Sequence, residues 1–197
     1  MDGERLERQM AFMVEVDSMK QVLRQTFVIG TNRHENDAEH SWHLALMAVL
    51  LAEYAGGAGV DILRVVKMVL VHDLVEIDAG DTYCYDEEGA KDKLERETRA
   101  ADRVFALLPD DQARELRALW DEFEEMTTPE ARFANALDRL QPLLLNYHSG
   151  GKSWRKHCVT SDRVLRRAQP IAEHMPGLWE FAAGLIRDAV ERGFLKE

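Results

Sequence analysis

The sequence predicts an all-α, single-domain helical bundle, and three observations carry that reading. Apolar residues recur at spacings of three and four along most of the chain, the period of a helix with one buried face. Alternation of apolar and polar residues, the mark of a half-buried strand, is nearly absent. Only 5 prolines and 12 glycines punctuate 197 residues, and no linker, repeat or low-complexity tract divides them. A chain of this length buries roughly 70% of its unfolded surface. Its 46% apolar and 31% charged residues form an ordinary globular balance.

A first helix is expected from residue 4 to about 27, with Phe12, Met13, Val16, Met19 and Leu23 on one side. Residues 30–36 read as a loop. Asn36 or Asp37 can cap a second helix, rich in Ala and Leu, that runs to about residue 54 and is ended by Gly56, Gly57 and Gly59. Asp61 can cap a third helix, to about residue 77, before a loop to about residue 88. A charged helix follows over about 91–108, and Pro109 and Asp110 open another, to about 126. Thr128 caps and Pro129 begins a helix ending near residue 147. Gly150, Gly151 and Ser153 mark a loop, and two last helices span 161–174 and 176–192.

The formal net charge of −11 argues against a nucleic-acid partner or an acidic membrane surface, since both attract concentrated positive charge. A small phosphorylated substrate is compatible with it, because a site can be positive inside a negative protein. Cys84 and Cys158 are too few for a disulfide framework and read as free thiols in a reducing compartment. The opening residues MDGERLERQM hold no apolar signal core, and no run approaches the length of a membrane span, so the cytoplasm is the expected location.

The third helix poses the chemical question. Nine of the thirteen residues in VVKMVLVHDLVEI (65–77) are apolar and keep to no single stripe, so this helix belongs inside the protein. Yet it carries His72, Asp73 and Glu76, with Glu76 beside both partners at helical spacing. Two buried acids call for a cation, hydrogen-bond donors or water. Satisfied core residues are the bland alternative. A metal ion is the sharper one, since His40 and His43 stand in ENDAEHSWH and Asp138 in ANALDRLQP. Imidazoles with carboxylates suit one Mn²⁺, Co²⁺, Ni²⁺, Zn²⁺ or Fe²⁺ ion better than a structural thiolate zinc. Spacing alone leaves open whether His40 and Asp138 converge on the doublet. Pro142, four residues after Asp138, removes a backbone hydrogen bond there and predicts a kink.

The order His40, His72-Asp73, Asp138, all on expected helices, resembles the HD-domain metal-dependent phosphohydrolases. The strings RHENDAEHSWH and HDLVEIDAGDT resemble the branch that holds the 5′-deoxynucleotidases, and the likeness covers about residues 19–154, with the last helices packed on that core. HDxxED alarmone hydrolases fit less well, because Ile77 stands at the second acid. No GYP element points to the cyclic-dinucleotide branch. The resemblance implies a bundle of the HD-domain type. It implies His40, His72, Asp73 and Asp138 as ligands of one divalent ion, Mg²⁺ included, and Glu76 beside the attacking water. It also implies Asp81 as a further acid of the active site, Arg24 as a substrate-binding residue and a homodimer. Relatives carry a bulky aromatic after that arginine, where this chain has Gln25.

The expected reaction is hydrolysis of a nucleoside 5′-monophosphate to nucleoside and phosphate. Arg24 and Arg33 would clamp phosphate oxygens, and Asp81 and Thr82 would meet the sugar or leaving oxygen. Arg33 also reads as loop surface, His43 as a packing neighbour of the site, and the acids of DEFEEM (121–126) as a solvated face. The basic stretch 150–167 reads as a surface loop or a contact to a phosphate or partner, and Trp42, Trp120, Trp154 and Trp179 as core or interface residues. Two other classes stay open: a module that binds nucleotide without hydrolysing it, and a helical interaction protein with incidental buried polar groups.

Overall fold

The computed structural model describes residues 3–56 and 59–197, so Gly57 lies outside the described residues. Its helices are α1 (Gly3–Val16), α2 (Asp37–Leu50), α3 (Ile62–Val71), α4 (Glu76–Ala79), α5 (Lys93–Phe105), α6 (Asp110–Glu125), α7 (Pro129–His148), α8 (Lys152–Lys156), α9 (Ser161–His174) and α10 (Pro176–Glu191). A two-stranded antiparallel ribbon, β1 (Leu23–Phe27) with β2 (His34–Asn36), precedes α2. The fold is the expected helical one, and none of its described helices is long and apolar enough to cross a membrane.

Chain chemistry sets the helix starts. Asn36, rather than Asp37, caps α2, and its side chain and that of Glu39 satisfy each other's backbone amides in a capping box. Asp61 accepts from the Arg64 amide, and Thr128 does the same for Ala131 ahead of Pro129. Two apolar clusters form the interior. The larger joins α2, α3, α6, α7, α9 and α10 around Leu44, Met68, Phe133, Leu137 and Ile186. The smaller holds α1, α5 and the residues after α3 around Met19, Val75, Ala101 and Phe105. The central helix, α7, packs against α2, α3, α6, α9 and α10.

Three expectations are corrected. The first helix stops at Val16, and a 3₁₀ turn (Asp17–Gln21) leads into β1. The helical spacing of Met19 and Leu23 hid the strand, which forms because Arg24 and Thr26 face buried Glu35 across the ribbon. The expected third helix breaks after Val71, and the chain tightens into i→i+3 bonds, Leu74 to Val71 and Glu76 to Asp73, before α4. The loop expected after Gly150 contains α8. There Gly151 has φ +70° and lies so close to Phe194 that a Cβ would sit 2.2 Å from its carbonyl oxygen. Helix α7 continues through Pro142, and the Asn146 side chain donates to the Pro142 carbonyl.

Phe133 is 1% exposed at the centre of the larger cluster. Phe133→Ala is expected to remove about 3–5 kcal/mol and lower Tm by about 6–20 °C, read by thermal denaturation followed by circular dichroism.

Candidate functional site

Three separated helical segments deliver one buried group of side chains. His40 lies in the first turn of α2, His72 and Asp73 in the tightened turn after α3, and Asp138 at mid-α7. On a regular helix, neighbours in sequence point about 100° apart. The break after Val71 brings both members of the doublet to the same point, with His72 Nε2 3.1 Å from Asp73 Oδ1. His40 Nε2 lies 3.0 Å from Asp138 Oδ1 and 3.8 Å from Asp73 Oδ2. His72 Nε2 lies 3.9 Å from Asp138 Oδ1. All four side chains are buried.

The ring tautomers follow from their other nitrogens. His72 Nδ1 donates to the Val69 carbonyl at 2.9 Å, and His40 Nδ1 donates to Gln141 Oε1 at 3.0 Å. Each Nε2 therefore turns a lone pair, or a second proton, toward the carboxylates. Despite its 3.1 Å approach to Asp73 Oδ1, His72 Nε2 is buried with no well-formed hydrogen bond among the described residues. Burial disfavours a charged ring at His72, yet Asp73 and then Asp138 overcome it and raise its pKa to about 10. Burial likewise opposes ionisation of Asp73 and Asp138. His72 and Arg24 hold Asp73 below the usual carboxylate range, and Arg139 and His40 hold Asp138 well below it. His40, His72 and Asp73, each ring anchored through Nδ1 by a carbonyl oxygen, form a donor set that can hold a metal ion, and Asp138 Oδ1 lies beside both rings.

Behind His40, Gln141 forms a relay. Its amide donates to Glu35 Oε1 at 2.6 Å and approaches His43 Nδ1 at 3.2 Å, while Thr26 donates to the other Glu35 oxygen at 3.0 Å. His43 thus touches the residue that orients His40. Gln141 stands one helical turn after Asp138, so a polar pair on an apolar helix was the available signal for it.

A second trio, Asp37, Asp73 and Glu76, lies on the other flank. Arg24 sits against it, with Nη1 2.8 Å from Asp73 Oδ2, 3.3 Å from Asp37 Oδ1 and 3.9 Å from Asp81 Oδ1. Burial, then the Asp73 charge, pushes Asp37 up to about 7 and Glu76 well above the usual range, and burial with Asp73 raises Asp81 despite Arg24. Glu76 Oε2 and Asp37 Oδ2 are buried without partners. Asp37 was legible only as a possible cap. Because Asn36 takes that role, Asp37 is free to face the site.

Beside the cluster opens a cavity of about 160 Å³, whose wall includes Arg24, His72, Asp73, Glu76, Asp81, Thr82 and Asp138. Thr82 Oγ1 accepts from Arg96 at 3.0 Å. Arg33 is not on this wall. It is exposed and grips both Glu39 oxygens at 2.8 Å, so it braces the start of α2. Glu124, from the run expected as a solvated face, lines the cavity, as do Lys93 and Arg139, which the sequence did not single out, and Arg167, the last residue of the basic stretch 150–167. The first part of the basic stretch meets the ribbon and its turn: Lys152 donates to the Thr31 carbonyl at 2.6 Å, and His157 Nε2 meets Gln25 Oε1 at 3.0 Å.

Known proteins resemble this chain in sequence and in fold. Residues 16–179 match the family model of the HD domain. The human 5′-deoxynucleotidase HDDC2 is 31% identical over 134 residues, 68% of this chain and 64% of that protein, so the match spans just under two thirds of the relative's length. The 5′-deoxynucleotidase hdd1 of Schizosaccharomyces pombe is 25% identical over 116 residues, 57% of each chain. The crystal structure of a predicted metal-dependent phosphohydrolase from Magnetospirillum magnetotacticum MS-1 is 52% identical with a TM-score of 0.94, covering 98% of this chain and 97% of that one. The PH0347 protein of Pyrococcus horikoshii OT3, 22% identical with a TM-score of 0.64, shares the fold. With the family model spanning most of the chain, and its ordered histidines and aspartates meeting at one buried point, the chain belongs to the HD-domain family.

Proposed function

We propose that this protein is a metal-dependent phosphohydrolase that cleaves nucleoside 5′-monophosphates, deoxyribo or ribo, to nucleoside and orthophosphate. The observation that carries this reading is His72 Nε2, buried without a well-formed hydrogen bond against two carboxylates at the edge of a cavity that also presents guanidinium groups. The names of the human and yeast relatives supply the substrate class.

His40, His72, Asp73 and Asp138 would hold one divalent ion. Such an ion acidifies water and neutralises charge on a phosphoryl group. Arg24 already supplies a positive charge to the second carboxylate trio, which favours one ion over a pair. Glu76, raised by burial and by Asp73, is poised to take the proton of the attacking water. Arg24 lies across Asp73 from the two histidines, where it can reach a phosphate oxygen. Asp81 and Thr82, just beyond, would meet the sugar or the departing 5′ oxygen. Arg33 receives no role in the reaction. The free thiols of Cys84 and Cys158 accord with a reducing compartment, and we place the protein in the cytoplasm.

We also assign a homodimer. From His40 to Ala52 no residue is charged. Trp42, Leu46, Val49 and Leu50 stand exposed on α2 at spacings of four, three and one, and Leu63 and Leu70 of neighbouring α3 are exposed as well. An uncharged apolar face of this kind is what a second copy of the chain would cover.

Asp73→Ala is expected to abolish both ion uptake, read by elemental analysis, and phosphate release from nucleoside monophosphates. Glu76→Gln should retain the ion and lose about 10²–10⁴-fold in kcat. An Asp73→Ala protein with the wild-type rate overturns the assignment.

A proton and the ion compete for His72 Nε2. With that ring raised to about 10, it is protonated in the ion-free protein at neutral pH, so binding expels a proton. Affinity should therefore weaken as pH falls, by about tenfold per unit for one proton released, read by titration calorimetry in buffers of differing ionisation enthalpy. In light scattering the wild type is expected at twice the chain mass and Trp42→Glu at the monomer mass.

A further inference from the structure

Arg139 and Arg167 are buried or half-buried guanidiniums that no step above uses. Arg139 extends from α7 and Arg167 from α9, and both line the cavity. Their side chains are 13% and 39% exposed. They share one carboxylate. Asp138 turns Oδ1 toward His40 and His72 and Oδ2 toward the arginines, pairing with Arg139 Nη1 and lying 3.9 Å from Arg167 Nη2. Arg139 Nη2 also donates to Asn135 Oδ1 at 3.3 Å, whereas Arg167 makes no hydrogen bond among the described residues.

The contrast with Arg24 decides the matter. Arg24 lies within 4 Å of four carboxylates, those of Glu35, Asp37, Asp73 and Asp81, and its charge is spent on them. Within 4 Å, Arg139 and Arg167 bring two charges to one carboxylate, Asp138, with the Glu124 charge acting on Arg139 from farther off, so at contact range positive charge exceeds negative here in a protein of net charge −11. The width of a single carboxylate separates them from the histidine nitrogens. A phosphate held at that nitrogen cluster would present its remaining oxygens to this pair, and forked guanidinium donors suit two oxygens of one phosphoryl group.

We propose that Arg139 and Arg167 form the phosphoryl clamp of the site, taking the oxygens that face away from His40 and His72. This rests on the phosphohydrolase reading. Arg24 then serves chiefly to hold Asp73 and its acidic neighbours in place, and the arginine pair supplies affinity for the doubly charged group.

Arg167 is the residue to test, because Arg139 is packed directly on Asp138 and its loss disturbs a ligand. The probe is inorganic phosphate, titrated calorimetrically into the Mn²⁺-loaded protein, with Mn²⁺ content and Tm measured first. Arg167→Gln is expected to keep both and to bind phosphate at least about tenfold more weakly, the scale of a lost charge-assisted contact. Arg167→Lys, which restores charge without the fork, should recover part of the loss. Wild type and Arg167→Gln binding phosphate equally, or a wild type that binds none, overturns the clamp. A wild type that binds phosphate in an Arg167-dependent way, yet releases none from any nucleoside monophosphate, overturns the nucleotidase reading and leaves the clamp standing.

Discussion

Everything else in this molecule is arranged around one concentration of negative charge in its interior. Asp73 and Asp138 stay ionised inside the bundle, and the two imidazoles that face them have committed Nδ1 to carbonyl oxygens. A neutral ring in that tautomer points a lone pair at an anion. A second proton on His72 relieves part of this in the ion-free protein, and one cation among all four groups would relieve the whole. One ion answers four side chains at once, and that is the simplest charge account of the cluster.

The scaffold supplies the geometry in three ways. The capping box at Asn36 and Glu39 fixes where α2 begins, and so where His40 and Asp37 face inward. The tightening after Val71 accompanies the convergence of two adjacent residues, His72 and Asp73, on one point. The central position of α7 places Asp138 within reach of both, and the missing amide at Pro142 leaves its turn without one backbone bond exactly where Gln141 reaches back to His40. Gln141 in turn is held by Glu35 on β2, so the ribbon that periodicity concealed orients the first histidine.

Most of the helical frame was legible because long amphipathic segments with caps leave a periodic trace: Asp61, Thr128 and Pro129 start their helices as their chemistry requires. The ribbon was not legible, because Met19 and Leu23 prolong the helical period into a segment that instead pairs with β2, where Arg24 and Thr26 meet Glu35. The chemical core of the site was legible as a contradiction, acids inside an apolar helix. Its periphery was legible only in part. Arg139 reads as a helix-surface residue in a string of Ala and Leu, and Arg167 as one of several basic residues at 163–167, and only packing of α9 on α7 brings them to one wall.

That packing also explains how an acidic protein can receive an anionic ligand. The acids outnumber the cations along the cavity's inner end, but they are not equivalent. Burial and Asp73 raise both Asp37 and Glu76, Asp37 to about 7 and so to less than full charge near neutral pH, and Arg24 offsets Asp73. Asp138 is divided between the histidines and the arginines. The negative charge of the site is thus discharged inward, against the protein's own cations and an ion, while the guanidiniums of α7 and α9 keep theirs facing the cavity. Polarity across a few ångströms, rather than net charge, determines what the site attracts.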